Sequence, residues 1–416
     1  MTTVLLADRD GRALGPLAEK TVPALLPLRG IPILEHSLES LVSAGIRSAL
    51  VVVGPRGPEI EKRFGKGIRW GIALEYVRRE EGETTGAVLR RLEQRLDGDT
   101  FVLRGDAAVE GAFADFVRRA GGRSEAVVAA VSGDRLLGMW RIRPEALRKA
   151  ELPRDPADAD WSVEKGHASL DVGLDVKPLD SLPAWFELDR SGAAPVLSPR
   201  ATVASGAKLT AGTTVAEDSV VLPKASLEAV SVLARTVVPQ GVSLSRAAVS
   251  QNLVVDPATG AASLLTDLLP PGGAPKGSGI GSRLAGLFLF LLSLPLWPVA
   301  FAWSFVANAG HATRPFSFAG NGARPGTRET VRTFRFESAI PVFRDLPLLL
   351  AVLGGSLSLS GVAPLAPEEE SSAKEPWMAA RLEAPVGLLA RSRMVVPASA
   401  PAEVARVVDA FDARSG

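Results

Sequence analysis

The sequence predicts an α/β protein in three parts: a doubly wound sheet, a short left-handed parallel β-helix, and a monotopic, membrane-associated α/β unit with a re-entrant helix. Three observations carry that prediction. Short apolar runs alternate with helical spacing over the N-terminal third of the chain. Val203, Leu209, Val215, Val221, Leu227 and Leu233 recur every six residues. Residues 284–313 hold no Asp, Glu, Lys or Arg, in a chain where 22% of residues are charged. The parts are expected at 1–195, 196–256 and 283–416, with a linker at 257–282.

In the first part, Val4–Ala7 reads as an apolar strand, followed by the polar loop DRDGRALGPL. Ala24–Leu28 is a second apolar element before a turn at Arg29-Gly30. Ile33, Leu34, Leu38 and Leu41 share one helical stripe that leaves out His36 and Glu39. Ser48–Gly54 is a continuous apolar run, the mark of a strand buried on both faces. Gly71–Val77 and Thr100–Leu103 supply further strands, with a helix over Gly86–Leu96 between them. Alternating strand and helix implies a layered α/β domain. Ligands on such sheets bind beyond the carboxyl ends of the strands. The loops after Ala7 and Leu103 are therefore the expected seat of chemistry. Whether Arg9 and Arg12 fill that mouth is left open by the sequence.

The six-residue period places one apolar residue on each side of a triangular coil, with small residues between. Six such sides make about two coils, which Val242 and Val249 extend irregularly. No histidine lies near them, so a spacer or oligomerisation role is expected there rather than acyl transfer.

Residues 284–307 are long enough to cross a bilayer. Pro295 and Pro298 interrupt them, and each removes a helical hydrogen bond. Lys276 and Arg283 precede the segment, and six arginines against Glu329 and Glu337 follow it between Arg314 and Arg344. Basic flanks are cytoplasmic ones. Two basic flanks favour a re-entrant segment with both ends on the cytoplasmic face of the inner membrane. A true span and a buried soluble hairpin are the alternatives.

A net charge of +1 gives no field for nucleic acid. With no cysteine there is no disulfide, thiolate metal site or cysteine nucleophile. His36, His167 and His311 are too scattered for a metal site. MTTVLLADRDG lacks a basic region followed by an apolar one, so no secretory signal is expected. PPGGAPKGSGIG at 270–281 reads as a flexible connection.

Roughly 1–150 resembles the sugar-phosphate nucleotidyltransferases. LLADRDGRALGPLAEKTVPALLPLRGIPIL is similar to that family's opening motif, a glycine-rich loop followed by a lysine and Leu-Pro. GIRWGIALEYV at 67–77, TTGAVL at 84–89, LRGD at 103–106 and GMWRIRPEAL at 138–147 follow in the family's order. The resemblance implies loop amides on nucleotide phosphates, an arginine and a lysine that neutralise charge, and an aspartate on magnesium. It assigns nucleotide contacts to Gly11, Gly86 and Asp106, with Asp106 the metal ligand and Mg2+ the one cofactor. The second loop glycine is Arg9, however. The loop arginine is Ala13, the lysine is Pro23, and Glu83 stands where a nucleotide-contacting glycine is usual.

From about Arg283 to Met394 the chain resembles the bacterial polyprenyl-phosphate glycosyl-1-phosphate transferases. RDLPLLLAVLGGSLSLSGVAP at 344–364 is similar to their hallmark segment. Ser293 and Pro295, RPFSF and GNG at 314–322, TFRF at 333–336 and EAPVGLLARSR at 383–393 follow suit. The resemblance implies an Asp-Glu pair that attacks a nucleotide sugar and passes phosphosugar to a lipid phosphate. Here that pair is Arg344-Asp345. The positions of the usual Asn, Lys, Asp and phosphate-binding Arg hold Ala351, Gly354, Ser356 and Ala363. Arg335 is retained, so Arg335 and Arg344 are the phosphate-binding candidates and Asp345 the candidate nucleophile.

The expected function is that of a non-catalytic or regulatory protein of surface polysaccharide biosynthesis, derived from a fusion of two enzymes. The alternative is an active transferase that moves phosphosugar from a nucleotide sugar to undecaprenyl phosphate. Expected partners are inner-membrane lipid, nucleotide sugar or polyprenyl phosphate, and a second copy of the chain, with no nucleic acid.

Overall fold

The strand Thr2–Ala7 (β1) is apolar from Val4 on, and Val4, Leu5 and Leu6 are fully buried. A strand of that kind belongs at the centre of a sheet covered on both faces. In the computed structural model, which describes residues 2–106, 112–133, 135–149, 168–172, 181–270, 280–322, 327–372 and 375–415, it has that place. The other strands are Ser48–Val53 (β2), Ala73–Arg78 (β3), Thr100–Arg104 (β4), Val127–Ser132 (β5), Arg135–Ile142 (β6) and Ala168–Asp171 (β7), in the spatial order β3-β2-β1-β4-β6-β5-β7. Strand β1 runs parallel to β2 and β4, with Leu6 opposite Val52 and Arg104. Strand β6 is antiparallel to β4 and β5, so the sheet is mixed.

Alternate side chains of β1 serve two cores. Leu5 and Ala7 pack with Leu34, Leu38 and Leu41 of the helix Ile33–Ser43 (α1) and with Phe116 of Ala112–Gly121 (α3). Val4 and Leu6 pack with Val88 and Leu89 of Thr85–Arg91 (α2) and with Trp140. Thr84 caps α2 by accepting from the Ala87 amide.

The middle repeat folds as short parallel strands in three walls. Leu197, Val215, Val232 and Val249 align in one wall, Val203, Val221 and Val238 in the second, and Leu209, Leu227 and Leu244 in the third. The repeat is longer than the two coils expected, because the first wall carries four strands. It is also less regular. The step from Leu197 to Val215 is eighteen residues, but that from Val215 to Val232 is seventeen. The side after Leu227 is one residue short. Val232 therefore fills the interior place predicted for Leu233, and Leu233 turns outward onto Leu14, Trp185 and Phe186. Corners fall at Gly206, Gly212, Asp218, Lys224, Ala229 and Arg235, all with positive φ. The antiparallel strands Leu253–Val255 and Ala262–Leu264 close the far end.

Of the expected linker, residues 271–279 lie outside the described residues, as do Lys276 and His167. Beyond it, Ile280–Ser293 (α4) and Leu296–Ala307 (α5) are bent by 67° at Leu294-Pro295. Among the described residues no single helix is long and apolar enough to cross a membrane, but the two helices of this bent pair together have the length and apolar composition. The buried-hairpin alternative does not hold within this chain, because Phe288, Leu292, Trp303 and Val306 are all more than half exposed. The pair rests on a hairpin of two nine-residue strands, Thr313–Asn321 (β8) and Arg328–Phe336 (β9), and on the short helices Pro341–Asp345 (α6) and Leu348–Leu353 (α7). Gly286 lets α4 approach closely, since a Cβ there would lie 2.6 Å from Val352.

The last helix, Ala402–Ser415 (α8), turns back onto the repeat. Val407 and Phe411 join Val215, Val232 and Val249 in one core, and Val404 and Val408 pack on Val220, Leu222 and Val237. The N-terminal domain reaches the same helix through Lys20 and Glu403, 3.0 Å apart. Phe411→Ala removes a ring that is 2% exposed at this junction. It is expected to cost the unit about 3–5 kcal/mol in urea unfolding. Phe305→Ala, at a ring 49% exposed, is the comparison and should cost under about 0.5 kcal/mol in detergent.

Candidate functional sites

The register of the N-terminal sheet brings two carboxylates together. Leu6 faces Arg104, so Asp8 and Asp106 leave neighbouring parallel strands side by side. Both are 1% exposed. Three arginines meet them. Arg104 donates from Nε to Asp106 Oδ1 at 2.9 Å and from Nη2 to Asp106 Oδ2 at 2.7 Å. Its Nη2 also reaches Asp8 Oδ1 at 3.3 Å. Arg79 Nε lies 2.6 Å from Asp8 Oδ2, a close ion pair rather than an aligned hydrogen bond. Arg9 Nε lies 3.1 Å from Asp106 Oδ2, and its Nη2 donates to the Asp106 carbonyl. Every carboxylate oxygen thus faces a guanidinium. Burial alone raises the Asp106 carboxyl, but Arg104 and Arg9 overcome it and hold it at about 2.

The remaining predicted residues border this cluster. Gly11 has φ 82°, left-handed backbone that suits glycine, at the start of the turn Arg12–Glu19. Arg12 does not fill the mouth; it is exposed and pairs with Asp10. Gly86 is buried in the first turn of α2, and Arg79 ties that turn to the cluster by donating to Thr85 Oγ1 at 3.0 Å. Beyond the ends of β2 and β3 lies an open cavity of about 550 Å³ lined by Pro55, Arg78, Arg79, Glu80, Glu81 and Arg91. Glu83 is taken up by Arg91, whose hydrogen bonds lower its carboxyl.

Magnesium takes oxygen ligands at about 2.0–2.1 Å in an octahedral shell. At Asp8 and Asp106 those oxygens are engaged by guanidinium groups, and among the described residues no cluster of three metal-ligating side chains exists. As folded, this donor set does not fit the ion expected at Asp106.

The C-terminal unit gathers its predicted residues at one point. Arg335 is the penultimate residue of β9, and Arg344 and Asp345 end α6. Arg335 Nε lies 3.0 Å from Asp345 Oδ1, and Arg344 donates to both Asp345 oxygens at 3.2 and 3.1 Å. Arg393 stands 4.0 Å away. Arg335 is 7% exposed, lies over the Phe316 ring at 3.5 Å and faces Arg314 across the hairpin. Its Nη2 is buried and makes no hydrogen bond among the described residues. Burial lowers the Arg335 guanidinium to about 10, against the pull of Asp345 and with the repulsion of Arg393, Arg344 and Arg314. Three arginines thus meet one aspartate, and Arg314 lies across the hairpin from one of them. Exposed Phe334, Ile340, Val342 and Met394 flank the group in sequence.

Sequence reading missed Asp8, Arg79 and Arg104 in the first site and Arg393 in the second. LRGD drew notice for its aspartate alone. The signal for Arg104 was a charge at the end of an apolar strand, which calls for a buried partner.

Residues 2–135 match the nucleotidyl transferase family. A mannose-1-phosphate guanylyltransferase of Mycobacterium tuberculosis is 32% identical over 104 residues, 25% of this chain and 29% of that protein. A UTP–glucose-1-phosphate uridylyltransferase of Haloferax volcanii is 29% identical over 119 residues, 29% of this chain and 49% of that protein. A glucose-1-phosphate thymidylyltransferase of Streptomyces antibioticus is 27% identical over 179 residues, 42% and 48% of the two chains. The matched segment spans less than half of each relative. The N-terminal part is a nucleotidyltransferase domain, with homologues that make sugar nucleotides.

The depressed Asp106 carboxyl sets a pH dependence. Its folded value, about 2, lies below the ordinary 3.8, so the folded state binds fewer protons between those values. The stabilisation is present above the ordinary value and is lost as pH falls through about 2. In Asp106→Asn, urea unfolding measured from neutral pH down to acid should show an acid loss smaller by about 2 kcal/mol.

Proposed function

We propose that the chain is a non-catalytic, membrane-associated protein of surface-glycan assembly, descended from a nucleotidyltransferase joined to a polyprenyl-phosphate glycosyl-1-phosphate transferase. One observation carries the reading: at both candidate centres the chain's own arginines occupy the carboxylates that chemistry would use. A nucleophile held by Arg335 and Arg344 is poorly placed to attack phosphorus, and a metal ligand held by Arg104 and Arg9 is poorly placed to bind metal. The nucleotidyltransferase reaction transfers the nucleoside monophosphate of a nucleoside triphosphate to a sugar 1-phosphate and releases pyrophosphate. Catalysis of that kind rests on positioned cations acting on phosphate. Here the guanidinium groups are turned on the protein's own aspartates.

The C-terminal arginines serve a binding role in this reading. Arg335 and Arg344, with Arg314 and Arg393, take the phosphate of a membrane lipid. Arg314 opposite Arg335 is a like-charge cross-strand pair that Asp345 offsets only from the Arg335 side. The bent helix pair seats its exposed apolar side in the cytoplasmic leaflet of the inner membrane. Irregular backbone at that depth needs protein cover, and α7 against Gly286 supplies part of it. The cavity lined by Arg78, Arg79 and Arg91, with Glu80 and Glu81, receives a nucleotide or nucleotide sugar.

Flotation with vesicles tests the reading. Purified full-length protein is expected to float with vesicles that contain anionic phospholipid or polyprenyl phosphate. Arg335→Ala, Arg344→Ala and Arg393→Ala should each weaken binding about fivefold at low salt. Recovery wholly in the lipid-free fraction would overturn the membrane reading. With radiolabelled nucleotide sugar in the polyprenyl phosphate vesicles, the lipid should stay unlabelled. Label that enters the lipid and is lost in Asp345→Ala would overturn the non-catalytic one.

A further inference from the structure

We propose that Arg104 is a built-in substitute for a divalent cation, so that the nucleotidyltransferase domain binds its phosphate ligand without magnesium. The metal-exclusion half stands on geometry alone; the ligand half rests on the function proposed above. Asp8 and Asp106, paired across parallel strand ends, are the kind of carboxylate couple that a divalent ion bridges. The Arg104 guanidinium makes that bridge instead, with contacts of 2.7 and 2.9 Å to one carboxylate and 3.3 Å to the other.

The bridge is built into the sheet. Arg104 is the last residue of β4 and is 0% exposed. Its side chain runs over Gly138 of β6, where φ is 70° and a Cβ would lie 2.6 Å from Arg104 Cγ. Any side chain at 138 would collide with this path. Arg79 and Arg9 then close the outer oxygens, so the three arginines leave the two aspartates with a formal surplus of one positive charge. A divalent ion entering would have to expel a buried guanidinium and then face the other two. Its hydration shell would find no free carboxylate oxygen.

A phosphate is the opposite case. The surplus charge favours an anion, and Arg79 also lines the 550 Å³ cavity, where Arg78 and Arg91 stand with Glu80 and Glu81. A nucleotide seated there meets fixed guanidinium charge in place of a metal. Fixed cations are used in the same way wherever planar groups recognise phosphate.

Manganese titration followed by electron paramagnetic resonance tests the exclusion directly on the detergent-solubilised full chain. Wild type should leave the free-ion signal unchanged at stoichiometric metal. Arg104→Met, which keeps bulk but removes the bridge, should bind manganese at least about tenfold more tightly, and adding Asp106→Asn should abolish the gain. If Arg104→Met does not fold, as judged by circular dichroism, Arg9→Met removes one of the two guanidinium groups at Asp106 Oδ2 and should show a smaller gain. Stoichiometric manganese on wild type, lost in Asp106→Asn, would overturn the proposal. A calorimetric arm titrates a nucleoside triphosphate in EDTA and again in magnesium. Affinities within about twofold support the ligand half, and about tenfold tighter binding in magnesium sinks it. No heat in either buffer would retire the nucleotide reading, and the manganese result then decides the exclusion alone.

Discussion

The guanidinium bridge between Asp8 and Asp106 is the constraint on which the N-terminal structure depends. Two buried carboxylates side by side repel each other, and each is costly to bury alone. Arg104 between them converts repulsion into attraction and lets both strands end in register. Removing one member of such a set strands the others, which is far more damaging than never having had it. The mouth of the sheet is thus held shut by charges that must stay together. The same device recurs at Asp345 between Arg335 and Arg344, and at Asp409 beside Arg381, 3.1 Å away in the C-terminal unit.

These closed sites are joined through the repeat. Leu233 and Ala248 pack against Trp185, Phe186 and Leu14 on the N-terminal side. Val407 and Phe411 of α8 complete its core from the C-terminal side. A chain that ends by packing on its own middle couples the sugar-nucleotide-related domain to the unit bearing the apolar helix pair. The repeat lies between them, and α8 packs against its strands.

Much of this was legible in the sequence. The apolar run at Ser48–Val53, the α1 stripe and the break at Leu294-Pro295 all follow from local pattern, since each depends on residues within a turn or two. The six-residue period was legible until the side after Leu227. There one residue is missing, Ala229 takes the corner with φ 51°, and the interior place passes to Val232. Period counting cannot see that shift because Val232 and Leu233 are both apolar. The candidate sites were legible only in part. Asp106, Arg335, Arg344 and Asp345 stood out by resemblance. Arg104 did not, because its partner Asp8 is 96 residues away and the pairing exists only once β1 and β4 are in register. Arg393 was hidden likewise, as its approach to Asp345 depends on the fold between α6 and the C-terminal residues.

The most direct test of self-neutralisation is nucleotidyl transfer by the purified full chain, followed as pyrophosphate release from a nucleoside triphosphate and a sugar 1-phosphate with magnesium present. The account predicts a rate indistinguishable from that of Asp106→Asn. Turnover of about 1 per second or faster, lost in Asp106→Asn, would contradict it.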